Sequence, residues 1–133
     1  MLEYTVSAKS SAHEAASFSS ESCSYPFGIV SNVEGLNTSP AELLLGAFSA
    51  CVLKNVERFS EILKFEYESA TIDVKGFRSD KPPAITSIQY VLQIRSADPK
   101  LNSHLLMKNI QKFGTIYNTL AKSTEISGKI EVV

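Results

Sequence analysis

Hydrophobic positions fall into distinct regimes along this chain. Up to about residue 33 they come as short alternations, Leu2-Tyr4-Val6 first, separated by serine-rich turns. Eight serines lie between Ser7 and Ser24, the composition of a linker. Phe18, Tyr25 and Phe27, with Ile29 and Val30 behind them, predict a meander of thin strands instead. A helix start follows in Thr38-Ser39-Pro40-Ala41-Glu42, with Ser at the N-cap, Pro at the first helical position and Glu at N3. The run to Leu63 is apolar on most of its surface, through Leu43, Leu44, Leu45, Ala47, Phe48, Ala50, Cys51, Val52, Leu53, Val56, Phe59 and Ile62. A helix apolar nearly all round must be buried nearly all round. A 133-residue chain has little else to wrap it with, which predicts a second subunit.

Beyond the helix the period changes. Ala70-Ile72-Val74 and Ile88-Tyr90-Leu92-Ile94 alternate as strands, with a charged turn over 78–83 between them. A second helical period runs Leu101, Leu105, Leu106, Ile110, Phe113, Tyr117, Leu120, opened by Asp98-Pro99 and bent or broken at Gly114. A strand over 129–133 closes the chain. The reading is a single α+β domain over 1–133, β-β-β-α-β-β-α-β, a long buried central helix packed against antiparallel sheets. No internal repeat is visible.

Charge and composition narrow the function. Thirteen basic residues against fourteen acidic ones leave a net charge of −1, with no cluster suited to nucleic acid. The longest apolar stretch, 43–53, is too short to span a bilayer. The start has neither the basic region nor the apolar core of a signal peptide. Two cysteines without such a signal read as free thiols in the cytoplasm. His13 and His104 form no metal-ligand spacing with each other or with Cys51, and no cofactor motif is present.

One segment carries chemistry. Ser39-Pro40-Ala41-Glu42-Leu43-Leu44-Leu45 leading into Phe48-Ser49-Ala50-Cys51 resembles the central helix of the OsmC-like (organic hydroperoxide resistance) family. Lys112-Phe113-Gly114-Thr115-Ile116 resembles that family's second signature, and the turn over 78–83 also matches. The resemblance runs from about residue 35 to the end and implies an intertwined homodimer built on two central helices. It also implies a thiol peroxidase that reduces organic hydroperoxides in the response to oxidative stress. By that resemblance Cys51 is the peroxidatic cysteine, and Glu42 and Arg78 are the candidates for the Glu and Arg that orient thiolate and peroxide.

Three positions depart from the family pattern. Gly114 stands where active members carry the resolving cysteine, so the two-cysteine cycle cannot close in the usual way. Ala41 stands where the better-characterised peroxidases have Glu directly after Pro. No Arg or Lys occurs between Lys9 and Lys54, where active members place their arginine.

Each candidate also has a plainer reading. Cys51 lies too deep in its helix for the N-terminal dipole to help, and Arg58, sharing its face, is two turns on, about 10 Å of rise. The plainer reading of Cys51 is a core cysteine packing as a small hydrophobe. Glu42 precedes Cys51 by nine residues, on the opposite helix face, so it meets Cys51 only across a dimer; its plainer role is a capping box with Ser39. Arg78 reads as a solvated turn residue, and Cys23 as a strand or turn thiol without redox use. Two functions stand against each other: a one-cysteine peroxidase resolved by an external thiol, and a non-catalytic protein binding a small hydrophobic ligand around Phe48, Cys51 and Phe59 at the dimer interface. A purely structural interaction role has no feature of its own.

Overall fold

The computed structural model describes residues 1–30 and 38–133. Its elements are β1 (Ser7–Ser10), β2 (Ala16–Ser19), β3 (Ser24–Phe27), α1 (Pro40–Ile62), β4 (Ser69–Asp80), β5 (Pro83–Arg95), α2 (Ser103–Phe113), α3 (Thr115–Ala121) and β6 (Glu125–Val132). Two compact units divide them, Met1–Leu44 and Leu45–Val133.

In the first unit β1, β2 and β3 form an antiparallel meander, with Phe18 opposite Tyr25. The Phe18 ring stacks on Tyr25 at 5.0 Å and lies 6.4 Å from Phe27, so the aromatics organise this serine-rich segment as the pattern predicts. The alternation Leu2-Tyr4-Val6 does not become a strand. These three side chains are exposed and pairing starts only at Ser7, because alternation without a buried face has nothing to fix it. The end of the expected meander, beyond residue 30, lies outside the described residues.

The start of α1 follows the capping-box pattern: Glu42 N–H donates to Ser39 Oγ at 3.2 Å, and Ser39 N–H donates to Glu42 Oε1 at 3.0 Å.

In the second unit β4 and β5 form a long antiparallel ladder that pairs Ile72 with Leu92 and Val74 with Tyr90. β6 joins the other edge of β5 in parallel, Ile88 beside Ile126 and Leu92 beside Ile130. The sheet is therefore mixed rather than antiparallel throughout. A parallel neighbour needs a crossover, and α2 and α3 supply it. Ile88, Tyr90, Leu92 and Ile94 turn one face of β5 into a hydrophobic cluster with Phe48, Val52, Val56 and Phe59 of α1 and Leu106, Ile110 and Tyr117 of the crossover helices. Each such side chain contributes about 1.5–3 kcal/mol when fully buried.

The second helical period divides in two at Gly114, where the glycine predicts a break. Its start differs from expectation. Asn102, not Asp98, caps α2, its side chain accepting from Leu105 N–H at 3.0 Å. Both Asp98 carboxylate oxygens are committed elsewhere, to Glu66 N–H at 2.8 Å and Lys100 N–H at 2.9 Å.

Candidate functional site

Cys51 stands in the middle of α1 and is half-buried, a free thiol. Its neighbours on the helix follow from spacing. Phe48, three residues back, and Asn55, four residues on, share its face, and both are buried. Asn55 Nδ2 donates to the Cys51 backbone carbonyl at 2.8 Å and lies 3.7 Å from Cys51 Sγ. The contact with the sulfur comes from a residue that the sequence pattern leaves inconspicuous. Its one signal is a polar amide at i+4 on an otherwise apolar face.

The elbow between α2 and α3 closes the other side. Gly114 N–H donates to Ile110 O at 3.0 Å, and Asn118 N–H donates to Gly114 O at 2.8 Å. The backbone there is extended, φ −72° and ψ 116°, which any residue adopts, so space rather than conformation calls for glycine. A Cβ at Gly114 would meet Ile110 O at 2.9 Å, Tyr117 Cβ at 3.0 Å and Cys51 Sγ at 3.3 Å. Position 114, which the family resemblance marks for a second thiol, therefore abuts the sulfur, and no side chain fills it.

An aromatic trio backs the site. The Phe48 ring is 5.5 Å from both Tyr90 and Tyr117, and Tyr90 meets Tyr117 edge-on at 6.4 Å. Gly128 on β6 makes room for Tyr90, whose ring occupies the space a Cβ there would need. Burial first, and the neighbouring Tyr117 side chain second, push the Tyr90 hydroxyl far above the ordinary phenol range. It stays protonated and donates to Met107 Sδ at 3.1 Å. Tyr90 is thus a fixed wall rather than an acid–base group.

Positive charge lies farther along the helix. The Arg58 guanidinium sits 5.2 Å from the Phe59 ring centre and 5.8 Å from that of Phe113, and Lys112 Nζ lies 5.3 Å from the Phe113 ring. Among the described residues no carboxylate pairs with either cation.

The remaining candidates are not brought to the sulfur by any hydrogen bond among the described residues. Glu42 is exposed in its capping box, where the Ser39 backbone N–H and then its hydroxyl hold the carboxyl below the usual range. Arg78 is exposed beside the β4 irregularity at Phe77/Arg78. Cys23 is an exposed thiol in the turn between β2 and β3, and its side chain raises the Tyr25 hydroxyl above the ordinary phenol range. His13 and His104 are both exposed, and no cluster of three or more His, Cys, Asp or Glu suited to a metal occurs among the described residues. Phe48 and Phe59, expected to line a ligand pocket with Cys51, are only 0% and 3% exposed and are packed on Tyr90, Tyr117 and Phe113. No described helix is long and apolar enough to cross a membrane.

The sequence model of the family described as OsmC-like protein matches residues 33–129. No curated protein sequence matches the chain. Among solved structures, the OsmC-like protein of Mycoplasma pneumoniae superposes with a TM-score of 0.83 at 18% identity, covering 99% of this chain and 98% of that one. The organic hydroperoxide resistance protein OsmC of Legionella pneumophila gives 0.71 at 14% identity, covering 99% and 100%. The organic hydroperoxide resistance protein OhrB of Bacillus subtilis gives 0.63 at 14% identity, covering 99% and 98%. At these identities the likeness concerns the fold.

Proposed function

The chain belongs to the OsmC-like family, and from that premise we propose that it is a cytoplasmic one-cysteine thiol peroxidase acting on organic hydroperoxides. The observation that carries this reading is the setting of Cys51: half-buried, with an amide donor 3.7 Å from its sulfur and a glycine elbow against it. The names of the Legionella and Bacillus relatives, organic hydroperoxide resistance proteins, support the substrate class.

The Cys51 thiolate attacks the outer peroxide oxygen and the O–O bond breaks. The alkoxide takes up a proton and leaves as the alcohol, and sulfur, oxidised by two electrons, becomes a sulfenic acid. Gly114 offers no second thiol, so an external thiol forms a mixed disulfide with Cys51 and water leaves. A second external thiol then releases the free cysteine as a disulfide forms between the two small thiols.

Two copies make the working unit. α1 keeps Gly46, Ala47 and Ala50 exposed in the single chain and leaves Leu44 37% exposed, a small-residue and apolar side suited to another copy of itself. Glu42 and Arg78 are proposed to act on the Cys51 of that second copy.

Turnover of cumene hydroperoxide with a small thiol, followed by thiol consumption, tests the assignment. The protein and its Cys23→Ser variant should turn over alike, and Cys51→Ser should lose all activity. Activity surviving Cys51→Ser overturns the reading. Full turnover in Glu42→Gln or Arg78→Gln would leave capping and solvation as the whole of those residues' roles.

A further inference from the structure

We propose that Asn55 is the positioning residue of Cys51, holding the sulfur in its charged form with a neutral amide where a cation would otherwise serve. This rests on Cys51 being the nucleophile, and it adds a partner that the quoted family pattern does not include.

Asparagine is a poor choice for the buried centre of a helix. Its propensity is unfavourable, and an amide taken from water must find partners. Asn55 is nevertheless only 7% exposed, between Val52, Val56 and Phe59 on the buried face of α1. Its orientation is determined by chemistry: the atom 2.8 Å from the Cys51 carbonyl must be the NH2 nitrogen, because two oxygens would repel there. One N–H is spent on that carbonyl. The same nitrogen lies 3.7 Å from Cys51 Sγ, within reach of its second N–H. A thiolate can only accept, so this contact tightens when the thiol ionises. A long contact in the resting state is usual for catalytic hydrogen bonds.

Other polar side chains show what the carbonyl bond alone looks like. Asn109 Nδ2 donates to Leu105 O at 2.9 Å, and Ser49 Oγ donates to Leu45 O at 2.8 Å, each four residues back. Neither is fully buried and neither reaches a sulfur. Asn55 differs on both counts.

The charged and titratable groups on the elements around Cys51 leave this role open. On α1, Lys54 is exposed and Arg58 is drawn to the Phe59 and Phe113 rings. On α2, Lys112 lies at Phe113. Tyr117 of α3 and Tyr90 of β5 form the aromatic wall, with the Tyr90 hydroxyl turned to Met107.

The test reads thiolate formation directly. In a Cys23→Ser background, iodoacetamide alkylation of Cys51 is followed from pH 6 to pH 10 in the parent, Asn55→Leu and Asn55→Asp. Asn55→Leu should be roughly tenfold slower at pH 7, equivalent to about 1.4 kcal/mol, and within about twofold of the parent at pH 10, where the thiolate forms regardless. Asn55→Asp should be slower still at pH 7, a carboxylate then facing the thiolate. Slowing by one factor at every pH would mean altered access only and would overturn the proposal, as would no slowing. Should the variants not fold, the side-chain amide resonances of Asn55 in the Cys23→Ser protein decide. They should move through the pH interval in which alkylation accelerates and stay still with Cys51→Ser added; no movement overturns the proposal. Hydroperoxide turnover separates the two ideas. An intact alkylation difference without turnover leaves Asn55 assigned and the peroxidase reading lost. Normal turnover in Asn55→Leu with an unchanged pH profile does the reverse.

Discussion

Gly114 shows how much one missing side chain decides at the residue scale. Its backbone conformation suits any residue, yet the space a Cβ would take is bounded by a carbonyl oxygen, a tyrosine and the Cys51 sulfur. Gly114→Ala should cost about 1–3 kcal/mol by overpacking, read as a lowered denaturant midpoint, with slower alkylation of Cys51. An unchanged midpoint would show that the elbow gives way freely. Cys51 was conspicuous in the sequence because a local motif precedes it. Asn55 was not, since an asparagine within a helix reads as a neutral polar residue until its burial is known. Spacing along α1 already set Arg58 two turns from Cys51, but it carried no sign of Phe113, the ring partner that arrives from another helix.

Elements were legible where their ends carry their own chemistry. The Ser39–Glu42 capping box starts α1 at Pro40, as its residue types require. Ser39→Ala should lower stability by about 1 kcal/mol, visible in thermal unfolding; no change would mean the cap is satisfied by water. The start of α2 was not legible, because Asp98 and Asn102 are both good caps and only tertiary contact separates them. Asp98 instead clasps two backbone N–H groups, Lys100 first and Glu66 second, which hold its carboxyl below the usual range. A carboxyl lowered by folding stabilises above its ordinary pKa, near 4, and that support is lost as pH falls through the folded value. Protection of the Glu66 and Lys100 amides from exchange should therefore be high at pH 6 and fall below about pH 4, relative to amides within β4 and β5. Equal protection at both pH values would remove Asp98 from that role.

At the scale of the whole molecule, alternation identified the core strands but not their neighbours. Period two says which face of β5 is buried, through Ile88, Tyr90, Leu92 and Ile94, and nothing about β6 pairing parallel to it. The excess of apolar surface on α1 was legible, and in the single chain Ala47 and Ala50 remain exposed beside its buried side. If a second copy covers them, Ala47→Glu should convert a dimer into monomers in analytical ultracentrifugation with the fold intact. A dimer of unchanged affinity would place the interface elsewhere.

Cys51 is the proposed reactive centre, and a single-turnover oxidation tests it most directly. The Cys23→Ser protein is mixed with one equivalent of cumene hydroperoxide or of hydrogen peroxide, and the sulfenic acid is trapped and located by mass spectrometry. The prediction is rapid, stoichiometric oxidation of Cys51 by the organic peroxide, well ahead of hydrogen peroxide and reversed by an added thiol. Oxidation no faster than that of a free thiol in solution, with either peroxide, would contradict the account and leave the fold without the chemistry.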